Sequence, residues 1–536
     1  SSAASDVYKR QVYTWWHWMN GNITKDGITR DLEAMKANGI AGYQLFEAGS
    51  GIPIGPVESL SDEWVDLILH TLKESERLGL EFAMHNCPGW SSSGGPWITP
   101  DKAMQIITWS ETKITGGKQV RIQLPTPKHM FDYYIDTYCL AIPANMKVIP
   151  RLSILELSNR LDKDGVLTWD VPTGEWLIMR FGQTAKDQKN KSAPSKSTGL
   201  DCDKFSTEAL DYHLNCMFKR LMPAMEKIAK HSKIGLLIDS YETGDQDWTS
   251  DMPAYFEQSH GYELYPFLPV LANKIVESEE STKRFLFDFR RVRADMFAER
   301  YYGHFQKRCK EKGIITYTEP YGGNMMEELQ VAQQLDINMG EFWCGQTVLW
   351  ANYKYNRTVK QVASIAHTLG GKVVGAEAFT SEPDADKWLQ YPYALKSLGD
   401  YMFTRGLSRI YFHRFAHQPH PTAAPGMTMG AWGLHFDRTN TWWKPGKAWI
   451  EYLNRCQYIF QSSTFYGDIL YHNGDDSFGS TIEPEQTLLA PPEGYDYDMV
   501  NTEMLDKAHI KDGKILFPAT RFDGYKLLVL LKSETM

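Results

Sequence analysis

Carboxyl groups recur at comparable places along this chain. Glu47 lies in GYQLFEAG (42–49), Asp239 and Glu242 in GLLIDSYETG (235–244), Glu319 in IITYTEPYGG (314–323), Glu341 in INMGEFW (337–343) and Glu377 in KVVGAEAFTS (372–381). His85 and Asn86 fall in LEFAMHNCPGW (80–90), and His413, Arg414 and His417 in SRIYFHRFAHQP (408–419). Hydrolysis of a glycosidic bond needs two carboxyl groups flanking it, one protonated to release the leaving oxygen and one ionised. Glu242 and Glu377 suit that pair. Asp239 beside Glu242 disfavours ionisation of a neighbouring carboxyl, as a general acid requires at neutral pH. Asp239 and Glu242 have opposite parity on a regular strand, so both reach one site only if the backbone turns after Ser240. Gly375, on the face of Glu377, leaves room for a ligand. One strand-end glutamate is as well explained by an ion pair with a barrel Arg or Lys; five at successive strand ends are not.

Glu319 and Glu341 suit either hydrogen bonds to sugar hydroxyls or coordination of a hard cation, since calcium prefers oxygen ligands. His85 with Asn86, and His413 with Arg414 and His417, are polar clusters fitted to sugar hydroxyls, as is Glu47. WWHWMNGN (15–22) combines core tryptophans with a stacking platform for a pyranose face, and Trp16 and Trp18 are the candidates. Ser91–Ser93 followed by Gly94 and Gly95 lacks the lysine and helix of a phosphate loop.

The elements that must position these groups follow from periodicity. Eight short apolar runs, beginning with VYTWWHWMN (12–20), alternate with helical patterns such as Thr24–Asn38 and Ser61–Leu78. That alternation predicts an α/β fold, a parallel (β/α)8 TIM-like barrel, whose active site lies at the C-terminal ends of the strands. Residues 105–200 interrupt it with period-two alternation and predict an inserted β-rich domain, which ends in the polar stretch TAKDQKNKSAPSKSTG. The barrel therefore spans 12–104 and 201–460, and 461–536 reads as the start of a C-terminal α/β domain. Residues 1–11 read as a non-native leader, and both ends read as cut.

Composition excludes several classes. A net charge of −9 without a basic block argues against nucleic acid and anionic membranes. No apolar run is long enough to span a bilayer. Seven scattered cysteines form neither a CxxC pair nor a zinc spacing, which predicts free thiols. Aromatic residues make up 13%, with 17 Trp, more than a barrel core needs and suited to a sugar-binding cleft.

The segments WWHWMNGNITKDGITRDLEAMKANGIAG, HNCPGWSSSGGPWITP, IDSYETGDQDW, VVGAEAFT and YFHRFAHQP together resemble glycoside hydrolase family 106, the α-L-rhamnosidases, over residues 12–460. The resemblance implies a barrel with inserted and appended β-rich domains, inverting stereochemistry and Ca2+ dependence. The family's acid would fall on Glu242 with Asp239 beside it, its base on Glu377 and its metal-site glutamate on Glu341. The terminal segment resembles the flavodoxin-like domain that follows the barrel in related enzymes. Family members are longer, so accessory β-domains are missing here. The expected substrate is terminal α-L-rhamnose on plant or microbial polysaccharides or glycosides, and the expected location periplasmic or secreted in a bacterium. Two alternatives stand beside this: a retaining exo-β-glycosidase of the large TIM-barrel clan, and a catalytically inactive carbohydrate-binding barrel. The first places Asn before its acid/base Glu, where this chain has Tyr241.

Overall fold

A computed structural model describes residues 10–49, 51–228, 234–344, 349–371, 373–382, 388–430, 432–474 and 480–530. Most of the expected leader, residues 1–9, lies outside them.

Eight parallel strands close into a barrel: β1 (Tyr13–Met19), β2 (Gly42–Ala48), β3 (Glu81–His85), β4 (Ile234–Ile238), β5 (Ile315–Thr318), β6 (Ile337–Cys344), β7 (Gly375–Ser381) and β8 (Arg409–Ala416). Each strand pairs with its neighbours in chain order, and β8 pairs with β1. Alternate residues fill the interior, where Tyr13, Ala83, Leu237, Tyr317, Met339 and Tyr411 form one cluster. The intervening residues meet the helix layer. Trp16 and Trp18 pack with Ile28, Leu32 and Met35 of α1 (Lys25–Ala37). Helix ends follow the local code: Ser61 accepts from Trp64 N–H to start α2 (Asp62–Leu78), and Gly79 ends it at φ 65°.

Gly375 is explained by packing. A Cβ there would lie 2.7 Å from Met339 Cγ and 3.0 Å from Tyr411 Cε2, so side chains rather than ligand space fill the place beside it. The helical pattern at 281–312 resolves into α3 (Glu279–Met296), a widened turn Phe297–Gly303 and α4 (His304–Lys310). The turn directs both Tyr301 and Tyr302 into the core, where Tyr301 donates to Ser92 O.

Between β3 and β4 the chain builds a four-stranded antiparallel sheet from Gln105–Thr115, Glu175–Ala185, Ile135–Pro143 and Leu155–Glu156. Both faces are covered. Cys139 and Ala141 pack under the two-stranded antiparallel ribbon of Lys118–Gln123 and Val166–Val171, while Leu140 and Ile142 join the main core. After the barrel, Ile469–His472 pairs in parallel with Tyr497–Val500 and Leu527–Leu530. These strands pack on Leu329, Ala332 and Ile365 of the barrel's helix layer. All seven cysteines are free, and no described helix is long and apolar enough to cross a membrane.

Candidate active site

The C-terminal end of the barrel carries a ring to which every strand contributes one side chain. His17, Phe46 and His85 come from β1, β2 and β3; Glu341, Glu377 and His413 from β6, β7 and β8. Asp239 and Glu319 immediately follow β4 and β5. The ring is chemically divided. Phe46, stacked by His17 and His85, occupies one arc with His413 beside His17, and four buried carboxyl groups occupy the other.

Asp239, Glu319 and Glu377 each offer an oxygen, and these oxygens lie within 4.8 Å of one another. Asp239 Oδ1 accepts from Ser240 N–H at 2.8 Å. Glu319 Oε2 accepts from Tyr321 Oη, while its buried Oε1 has no partner. Glu377 Oε1 accepts from Thr380 Oγ1 and lies 3.5 Å from His413 Nδ1. Burial first, and then the neighbouring negative charges, hold all three acids well above the usual carboxylate range. Glu341, beside Glu377 in register, accepts from Trp343 Nε1.

Burial keeps the imidazoles neutral. His17 and His413 are pushed well below the ordinary value, and His85 down to about 4. His85 stacks on Phe46 with centroids 5.2 Å apart, donates from Nδ1 to Cys87 O at 2.9 Å and accepts from Asp239 N–H at 3.4 Å. It shapes the ring, but both its nitrogens are engaged. His17 stacks on the same Phe46, and its Nδ1 has no partner.

Glu242 stands apart from the ring, on the loop where the chain turns away after Ile238. Its side chain is 45% exposed. Oε2 accepts from Trp90 Nε1 at 3.0 Å and from Lys191 Nζ at 2.9 Å. Trp90 lies on the loop after β3, and Lys191 on the segment returning from the inserted sheet.

Six expected binding residues are placed elsewhere. Trp16 and Trp18 are fully buried against α1, so neither offers a face to a sugar. His417 is buried beside them. Asp31 of α1 joins these elements: its Oδ2 accepts from Trp16 Nε1 at 3.2 Å, His417 Nδ1 at 2.8 Å and Gln418 N–H at 3.0 Å, and its Oδ1 from Arg438 Nε at 2.7 Å. Glu47 pairs in register with Trp18 and turns outward, accepting from Ser59 Oγ at 2.6 Å; burial pushes its carboxyl up to about 7. Asn86 donates to Ser92 O and Leu237 O, both at 2.9 Å, and His213 Nε2 lies 3.2 Å from its Oδ1, so its amide pins loops together. Arg414, fully buried, donates to Trp432 O at 2.8 Å and secures the loop after β8.

The sequence reading missed His17, Phe46, Trp90, Lys191 and Thr380. Parity along YTWWHWM would have found His17, which shares a face with Tyr13 and Trp15. Lys191 carries no local signal, because tertiary packing brings it to the mouth.

A family model described as alpha-L-rhamnosidase matches residues 7–137 and 127–536. A Formosa agariphila protein named "Putative beta-glucuronidase" is 39% identical over 553 residues, covering 97% of this chain and 46% of that protein. The solved structure of a rhamnosidase from Novosphingobium sp. PP1Y superposes with a TM-score of 0.87 at 23% identity, covering 98% of this chain and 66% of that one. This chain thus spans about half the length of the Formosa relative and two thirds of the Novosphingobium structure's. The family match extends over nearly the whole chain, and the chain belongs to glycoside hydrolase family 106, the alpha-L-rhamnosidase family.

Proposed function

We propose that this chain forms the catalytic part of an enzyme that hydrolyses terminal α-L-rhamnosides with inversion. The observation carrying this reading is the arc of four buried carboxyls with a fifth, half-exposed carboxyl on the loop that follows β4. Glu242 protonates the leaving oxygen, for which its exposed position at the entrance is suited. Glu377 takes the proton of a water attacking from the other side of the ring, and Thr380 and His413 orient it. Asp239 and Glu319 add negative charge that stabilises a positively charged, oxocarbenium-like centre. Neutral His17 and His413 offer ring nitrogens to sugar hydroxyls, and Trp15 beside His413 adds an apolar wall.

The donor set also fits calcium. Three buried acids converge, and Glu319 Oε1 is buried without a partner. Asp239 and Glu319 would hold the ion with Glu341 beside them, which leaves Glu377 as the base. When bound, calcium supplies positive charge and coordination sites for the vicinal hydroxyls of rhamnose. The three parallel strands after the barrel support a reading of residues 461–536 as the start of a flavodoxin-like domain, and family membership supports a periplasmic or secreted location.

The Formosa relative's name favours a second reading, cleavage of β-glucuronides by an exo-β-glycosidase. Membership of the alpha-L-rhamnosidase family weighs against it. Release of rhamnose from p-nitrophenyl α-L-rhamnoside, followed by NMR of the first-formed anomer, tests the proposal. Hydrolysis of p-nitrophenyl β-D-glucuronide instead supports the second reading, and binding of rhamnosides without turnover supports an inactive barrel.

A further inference from the structure

Two of the site's acids are held from behind by one helix. α5 (Leu349–Leu369) follows β6, and its Thr358 and Gln361 stand about one turn apart on the same face. Thr358 Oγ1 accepts from Glu341 N–H at 2.9 Å. Gln361, fully buried, donates from Nε2 to Pro320 O at 2.8 Å, and Pro320 directly follows Glu319. The loop that begins there supports the loop that carries Glu242, since Tyr241 N–H donates to Tyr321 O at 2.9 Å. The two loops touch closely: a Cβ on Gly322 would lie 2.6 Å from Tyr241 O. The backbone at Pro320 thus has Glu319 on one side and the support of the Glu242 loop on the other.

A buried amide keeps its donor end on one carbonyl only while its oxygen has a partner of its own. That partner comes from outside the barrel. Thr481, buried in the segment between Ile469–His472 and Tyr497–Val500, places Oγ1 2.6 Å from Gln361 Oε1 and 2.5 Å from Glu328 Oε2, with one proton to give. Glu328 Oε2 already accepts from Arg357 Nη1 and from Thr481 N–H, which fill its two lone pairs, so Gln361 is the acceptor that depends on the hydroxyl. The other donor within reach of Gln361 Oε1 among the described residues is Arg357 Nη1, at 3.4 Å. Thr481 is itself fixed, because Ile482 N–H donates to Asn473 Oδ1 at 2.8 Å and Asn473 N–H to Val500 O at 2.8 Å. We propose, on the reading of Glu242 and Glu319 as parts of a rhamnosidase site, that Gln361 is a positioning residue for the loop after β5 and that Thr481 sets it from the unit following the barrel. That unit is then part of the catalytic apparatus without touching substrate.

The test uses the whole chain with p-nitrophenyl α-L-rhamnoside, and a thermal midpoint checks that each variant is folded. Gln361→Met should lower kcat about tenfold, as a small misplacement of reacting groups does. Thr481→Val should lower it about threefold or more, and Thr481→Ser, which keeps the hydroxyl, should restore it. In the double variant Thr481→Val should add nothing to Gln361→Met, because the hydroxyl acts through that amide. Tyr525→Phe is the control: it removes a buried hydroxyl of the same unit, one that donates to Asp498 at 2.6 Å, and should lower the midpoint without changing kcat. Exchange of the Tyr241 amide hydrogen should quicken in Gln361→Met and Thr481→Val but not in Tyr525→Phe, whether or not substrate is cleaved. An unchanged kcat in folded Thr481→Val, or full additivity in the double variant, overturns the role of Thr481. Unchanged kcat and Tyr241 exchange in Gln361→Met overturn the role of Gln361. A wild type that releases no rhamnose overturns the hydrolase reading instead, and amide exchange then decides the positioning by itself.

Discussion

Glu341 of β6 and Glu377 of β7 are lateral partners in the barrel register, and both point to the interior. Like charges directly opposite one another destabilise a sheet, and here Asp239 and Glu319 complete a buried acidic arc. Such a group needs protons or a cation. At neutral pH, calcium is therefore expected to raise the thermal midpoint by several degrees, and calorimetric titration should find one site per chain. Glu319→Gln should weaken calcium binding at least tenfold while making the metal-free protein more stable, since it removes one buried charge. Absence of any calcium effect on midpoint or heat would remove the metal from the proposed function.

Turnover separates the two principal carboxyls. Glu242→Gln and Glu377→Gln should each lower kcat about 10²–10⁴-fold, the range of a lost general acid or base. Their stabilities should diverge. Glu242 is half exposed, so its variant keeps the wild-type midpoint, whereas Glu377→Gln relieves buried repulsion and raises it. Calorimetry alongside kinetics checks both; a Glu377 variant that retains its rate but melts early would make that residue structural.

Glu47 predicts a pH dependence that has nothing to do with catalysis. Burial raises its carboxyl from an ordinary 4.5 to about 7 in the folded protein. A raised carboxyl contributes stability below its unfolded value, and that contribution is lost as pH rises through its folded value. Between pH 4.5 and 7 the wild type should lose up to about 3 kcal/mol that Glu47→Gln does not lose. Parallel melting curves across this window would contradict the burial argument.

Two tryptophans should behave in opposite ways. Trp16→Ala removes a fully buried indole and its bond to Asp31, and should cost about 3–5 kcal/mol while leaving KM of the folded fraction unchanged. Trp90→Ala, at a side chain only partly buried against the core, should cost less stability than Trp16→Ala but lower kcat/KM, because Trp90 Nε1 holds Glu242. Denaturant titration and steady-state kinetics on the pair distinguish core from site.

The eight barrel strands were legible because each run is short, apolar and punctuated, which periodicity reads well. The carboxyls of β4–β7 were legible for the same reason: a strand's end and parity fix where its last residues point. Binding residues failed where parity was not followed. Trp16, Trp18 and Glu47 lie on outward-facing positions, and the inward set of β1 is Tyr13, Trp15 and His17. Asn86 and Arg414 were misjudged because a polar side chain at a strand end can serve backbone carbonyls of its own loops. Lys191 was invisible, since contacts between residues 100 or more apart in sequence place it.

Asp31 also bears on how the molecule comes to exist. Its partners Trp16 and Arg438 come from opposite ends of the barrel's sequence, so the seam between β1 and β8 is latched only after some 400 further residues have been made. Until then YTWWHWM presents an unpaired, aromatic-rich edge, the kind of strand that recruits other chains. The long wait between the first strand and its last neighbour makes assembly slow by topology. Conditions that delay completion of β8 should divert newly made chains into aggregates through β1, even where the finished barrel is stable.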